Sequence, residues 1–154
     1  MIRRSISPII FACAWVVGCG DVAAPPSPSV EIESVKLLAC PDPDIGRTCE
    51  FDHVKSPEYL ADALKGDYQA QRNISYAHTS GVSWIVARPV QGCGWRMVIM
   101  VSRPAGATYD DAGMYRIQCG DLSPADLEQS KRLAQIIYRQ IHGADLPALP
   151  PIPA

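Results

Sequence analysis

The sequence has little positive charge to spare, no internal repeat and no Cys-x-x-Cys spacing. Its longest apolar run, Ile6 to Val17, is interrupted by Ser7 and Pro8. A bilayer-crossing helix needs about 20 apolar residues, so that run reads as something shorter. With 14 basic against 16 acidic side chains, the chain has no general electrostatic reason to bind nucleic acid. The missing Cys-x-x-Cys, with no histidine in a ligand pattern beside the cysteines, argues against a metal site. No serine occupies a nucleophile-elbow pattern, and no catalytic set, metal or cofactor is read.

What is there begins at the amino terminus. Arg3 and Arg4 precede the apolar stretch, the order of a charged n-region and short h-region in a secretory signal. The stretch ends in Val16-Val17-Gly18-Cys19. This segment resembles the lipobox of bacterial lipoproteins, although Val16 stands where leucine is commoner. The resemblance covers the signal only. It implies cleavage before Cys19 and diacylglyceryl attachment to that cysteine, with the lipid bilayer as first partner. Each buried methylene contributes about 0.8 kcal/mol, and two or three acyl chains make release negligible. Gly20, rather than an aspartate, follows the cysteine, which by the same resemblance implies the periplasmic face of the outer membrane.

Removing residues 1–18 as signal peptide leaves 136 of the 154 residues and lowers Lys and Arg from 14 to 12 against 16 acids. Residues 19–29 form a lipidated cysteine and a Pro/Ala/Ser linker, stiffened into a spacer by Pro25, Pro26 and Pro28. Residues 30–143 have the length and apolar content of one domain. Residues 144–154 hold Pro147, Pro150, Pro151 and Pro153 and read as an extended, weakly ordered tail.

Within the domain, 30–39 alternates as a half-buried strand does. Residues 40–55 read as a loop, followed by a short helix capped by Ser56, opened by Pro57 and stopped by Gly66. Strands are expected at 74–78, 82–90, 95–102 and 114–119, with a glycine-containing hairpin turn at 91–94. A last helix runs from Ser123-Pro124-Ala125-Asp126 to Gly143, with Leu127, Ala134, Ile137, Tyr138 and Ile141 on one face. The resulting expectation is a small α+β domain: a mainly antiparallel sheet of four to five strands, two helices and two disulfides.

Cys40, Cys49, Cys93 and Cys119 make an even set in an oxidising compartment, which argues for two bridges. Four cysteines allow three pairings. Cys40–Cys49 and Cys93–Cys119 are favoured, the first closing the Pro-Asp-rich loop and the second pinning a strand end. Gly92-Cys93-Gly94-Trp95 has a partial resemblance to the cysteine-protease nucleophile segment. That segment opens a helix, whereas here the following residues read as a strand, so a structural bridge is preferred.

The other candidates are thinner. His53, His78 and His142 are scattered, and His142 sits where a helix dipole accounts for it. Asp42 and Asp44 look like the start of a calcium loop without its later acidic ligand. Arg88, Arg96, Arg103 and Arg116 lie on or beside the expected strands. They could line a patch for an anionic partner such as peptidoglycan or lipid A, or simply cover apolar surface with their stems. The functional expectation is a non-enzymatic envelope lipoprotein binding a protein or cell-wall partner. The alternatives are a small periplasmic thiol enzyme or hydrolase, and an inhibitor of an incoming cell-wall enzyme.

Overall fold

Residues 95–102, expected as a strand, lie within a helix. The computed structural model describes residues 30–40, 46–102 and 109–153. They form five helices: α1 (Gly46–Leu64), α2 (Tyr68–Ala77), α3 (Pro89–Ser102), α4 (Tyr109–Cys119) and α5 (Pro124–His142). Among the described residues there is no sheet; the one β-type pairing is an isolated antiparallel bridge between Leu37 and Ile85. The α+β expectation is therefore corrected: the described residues are mainly helical.

The reason lies in α3. Nine consecutive residues, Gln91 to Ile99, are buried, because α2, α4 and α5 all pack on this helix. A helix covered on every side needs no polar face, so its sequence loses the 3.6-residue pattern and reads like a buried strand. Gly92 and Gly94, expected in a hairpin turn, are instead contact points inside α3. A Cβ on Gly92 would stand 2.9 Å from the Ser75 carbonyl oxygen of α2, and one on Gly94 would stand 2.8 Å from Leu133 Cδ2 of α5. Glycine lets the three helices approach at these two places.

The remaining expected strands give way similarly. Residues 74–78 continue α2, whose start is fixed by Asp67, a cap that accepts from the Ala70 amide at 2.7 Å. Residues 114–119 belong to α4, and 82–88 form an irregular segment held by the Leu37–Ile85 bridge. The 30–40 segment is extended but acts as a strap. Gln91 clamps it, donating to the Glu31 carbonyl at 2.7 Å and accepting from the Glu33 amide at 3.3 Å. Arg88 pairs with Glu33, and Val35 enters the core.

The first helix begins earlier than its signals suggest. Ser56-Pro57 lies inside α1, not at its start. A mid-helix proline forgoes the bond to the carbonyl four residues back, that of His53, at a usual cost of about 3 kcal/mol. The turns before Pro57 are held by outside ties: the Cys40–Cys49 disulfide and a bond from Trp84 Nε1 to Asp52 at 2.9 Å. Gly66, at φ +91°, ends the connection as expected.

The last helix matches its sequence signals closely. Ser123 caps α5 by accepting from the Asp126 amide, and Gly143 closes it in the left-handed conformation. Leu133, Ala134 and Ile137 are fully buried against α3, with Leu127, Tyr138 and Ile141 packed around them. The proline-rich tail has a packing role that its composition hid. Leu146, Leu149 and Ile152 lie against the core, and the Tyr115 hydroxyl donates to the Pro150 carbonyl at 3.4 Å.

Candidate functional site

A buried polar network joins α2, α3 and α4. Arg96, 1% exposed, projects from α3 toward α4 and meets Asp111 at 2.9 Å through Nη1. Its Nε donates to Gln118 Oε1 at 2.9 Å. The Ser75 hydroxyl lies 2.7 Å from the same oxygen and 2.9 Å from the Gly92 carbonyl, and donates to one of them. Gln118 Nε2 donates to Thr79 Oγ1 at 2.8 Å. Asp111 also accepts from Tyr68 and pairs with Arg72 Nε at 3.2 Å, while Arg72 Nη2 pairs with Asp110. Burial pulls the Arg96 guanidinium below its ordinary range, and Asp111 opposes that pull. The network is internally satisfied, so it holds the three helices in one register rather than presenting a reactive group.

Sequence reasoning missed this network because it assigned 114–119 to a strand and no helix to the residues before it. On a helix, Asp111, Tyr115 and Gln118 follow each other at four and three residues and share the buried face of α4. That spacing was the available signal. It has no meaning on an extended chain.

Above the network, three clefts meet at Tyr76. One of about 420 Å³ runs between the end of α2 and α4, past Thr79, Met114, Ile117 and Leu122. A second of about 310 Å³ lies over Arg72, Arg96 and Asp110. A third of about 250 Å³ separates α2 from α1 and the Trp84 segment. Tyr76 lines all three and is 57% exposed, and Ile117 beside it on α4 is 62% exposed.

The four arginines singled out from the sequence are not brought to one surface. Arg96 is withdrawn into the interior by Asp111 and Gln118. Arg88 is spent on Glu33 of the strap, Arg116 is exposed on α4, and Arg103 lies outside the described residues. Asp42 and Asp44 lie outside them as well, as do the signal, Cys19 and the 20–29 linker.

Both favoured cysteine pairs are present. Cys40 and Cys49 are bridged with Cα atoms 5.7 Å apart, and Cys93 and Cys119 with Cα atoms 5.2 Å apart. The second bridge ties α3 to α4 inside the core, so Cys93 presents no thiolate to solvent.

The histidines diverge. His78 is fully buried at the end of α2, and neither ring nitrogen has a partner among the described residues. Burial pushes its imidazole down from 6.5 to about 4. His142 stacks on Tyr138 at 4.3 Å and meets Ser102 Oγ at 3.1 Å. His53 is exposed on α1, with Nε2 2.9 Å from the Leu38 carbonyl oxygen. It stands one turn beyond Cys49, and ligand-capable atoms of Cys40, Cys49 and His53 lie within 4.8 Å of one another. The reading that no histidine accompanies the cysteines is corrected: residues 46–55 are helical, so positions 49 and 53 share a face.

Comparison of the chain with protein-family models, with curated proteins and with solved structures returns no match.

Proposed function

We propose that the chain is a membrane-anchored envelope lipoprotein whose helical domain is a non-enzymatic binding or assembly module. The anchoring part of this reading rests on Arg3-Arg4, the apolar run and Val-Val-Gly-Cys19. The binding part is carried by one observation, the exposed Tyr76 at the meeting point of three clefts. Aromatic side chains flanked by well-formed hollows are the usual anchors of protein interfaces, and most binding energy concentrates in a few of them. Beneath Tyr76 the satisfied Arg96–Asp111–Gln118 network keeps α2 and α4 at a fixed spacing. The partner is a protein of the envelope that fills the apolar α2–α4 cleft and caps Tyr76.

Two measurements test the reading. Labelled palmitate should enter the wild type and not Cys19→Ala, and the wild type should fractionate with membranes. Co-purification from detergent-solubilised envelopes should fall sharply for Tyr76→Ala and Ile117→Asp and persist for Arg132→Ala, an exposed position on α5. Equal recovery of partner across the three variants would refute this face as the binding surface. Equal palmitate labelling of Cys19→Ala would refute the anchor.

A further inference from the structure

We propose that Cys40, Cys49 and His53 form a zinc site that their disulfide masks and that reduction opens. The inference goes beyond the tethered-module reading and does not depend on it. Cys49 and His53 occupy positions i and i+4 of α1, the spacing at which two ligands on a helix converge on one ion. Cys40 arrives from the end of the strap and completes the trio within 4.8 Å. In a tetrahedral site with Zn–S near 2.3 Å and Zn–N near 2.0 Å, neighbouring ligand atoms stand about 3.5–3.8 Å apart. Reduction lets the two sulfurs part to that spacing, Cys40 moving with the end of the strap and the exposed His53 ring turning toward them, while the Trp84–Asp52 hydrogen bond still ties this part of α1.

The surroundings suit a metal ligand. The His53 ring is held by the Leu38 carbonyl through Nε2. A tautomer protonated at Nε2 donates there and keeps its lone pair on Nδ1, the arrangement by which ligating histidines are oriented. The two disulfides also differ in access. Cys93 and Cys119 are 0% and 1% exposed in the core; Cys49 is 0% exposed too, but its partner Cys40 lies at the surface and offers a sulfur to attack. Thiol–disulfide exchange requires an attacking thiolate to reach a sulfur, so a dithiol reductant opens Cys40–Cys49 first.

The chemistry balances in two steps. A dithiol reductant transfers two electrons and two protons to the Cys40–Cys49 bond, leaving two protein thiols and a reductant disulfide. Zn²⁺ then binds both sulfurs and the neutral His53 ring, releasing the two thiol protons, with water in the fourth position.

The test uses the full chain purified in detergent, treated with a dithiol and freed of it under anaerobic conditions. Zinc affinity is read by competition with a chromophoric chelator, and Co²⁺ is substituted to read thiolate-to-metal charge-transfer absorption. The proposal expects one zinc per chain after reduction and none before, with no binding by the reduced Cys40→Ser/Cys49→Ser variant. His53→Ala should weaken affinity by more than the roughly 10–100-fold that loss of a ligand's hydrogen-bond partner costs. His53→Cys should restore tight binding and add to the thiolate absorption. Far-UV circular dichroism establishes that each variant keeps its helices, which for the His53 variants is expected because His53 is exposed. Unchanged affinity in His53→Ala, zinc binding to the oxidised protein, or no binding after reduction would each overturn the site.

Discussion

Replacing Asp111 with alanine should be among the most damaging single changes available to this domain, and more damaging than replacing its partner Arg96 with methionine. In Asp111→Ala the Arg96 guanidinium stays buried and keeps a hydrogen bond to the neutral Gln118 Oε1 but no directly paired carboxylate among the described residues. Breaking a buried pair in this way costs about 3–5 kcal/mol, against a total stability of about 5–15 kcal/mol for a domain of this size. Arg96→Met leaves a different situation. Asp111 keeps Arg72 Nε at 3.2 Å and the Tyr68 hydroxyl, so its charge is still answered, and the loss should be about 1–3 kcal/mol. The double variant Arg96→Met/Asp111→Leu removes both charges and should be more stable than Asp111→Ala alone. Arg72 is already 28% exposed at its side chain and can turn to water when its partner goes. Urea unfolding followed by far-UV circular dichroism gives the three free energies from midpoint and slope. If Arg96→Met cost as much as Asp111→Ala, or if the double variant were worse than both, the network would not be arranged as described.

The buried His78 makes stability depend on acid. The unfolded chain takes up this proton near 6.5 and the folded chain only near 4, so its share of stability is whole above 6.5 and is lost as pH falls toward 4, by roughly 3 kcal/mol. His78→Leu should flatten that part of the pH profile, and an identical slope in wild type and variant would contradict the assignment. Ile137→Asp, at a fully buried position on α5, should cost on the order of 4 kcal/mol, while Glu128→Ala and Lys131→Ala should each stay within about 0.5 kcal/mol. The bridges close separations of 26 and 9 residues, for which chain entropy gives about 3.5 and about 2.6 kcal/mol. Thermal melts should therefore rank Cys93→Ala/Cys119→Ala below Cys40→Ala/Cys49→Ala, the more so because the first pair also leaves a core cavity.

Local chemistry was legible where a helix had a solvent face and its own punctuation. Ser123, Asp126 and Gly143 bracket α5, and the apolar positions between them repeat at helical spacing, so both ends and the buried side could be read off. The disulfide pairing was legible for a similar reason, since four cysteines leave three pairings and closure of the Pro-Asp-rich loop favours Cys40–Cys49. What failed was everything that depended on α3. The run Trp-Arg-Met-Val-Ile, buried on all sides, carries no period, and its β-branched content weights it toward a strand. With 95–102 read as a strand, Gly92 and Gly94 become turn residues and Met114 to Cys119 a further short strand. Arg96 then fell on a sheet face, and the helical spacing of Asp111, Tyr115 and Gln118 lost its meaning. His53 was obscured in a parallel way: Pro57 argued for a helix beginning at Ser56, whereas Cys40–Cys49 and Trp84–Asp52 hold the turns before it. Those ties come from segments distant in the fold, and no local window contains them.

The reading of the chain as a tethered binding module is tested most directly by photo-crosslinking from position 76 in intact cells. A photoreactive phenylalanine analogue replaces Tyr76 in the otherwise native chain, with the same analogue at Arg132 as the surface control and Cys19→Ala as the untethered control. The account predicts one discrete crosslinked protein from position 76, absent from position 132 and strongly reduced when Cys19 is lost. The same pattern of products from both positions, or an undiminished product from the Cys19→Ala chain, would contradict it.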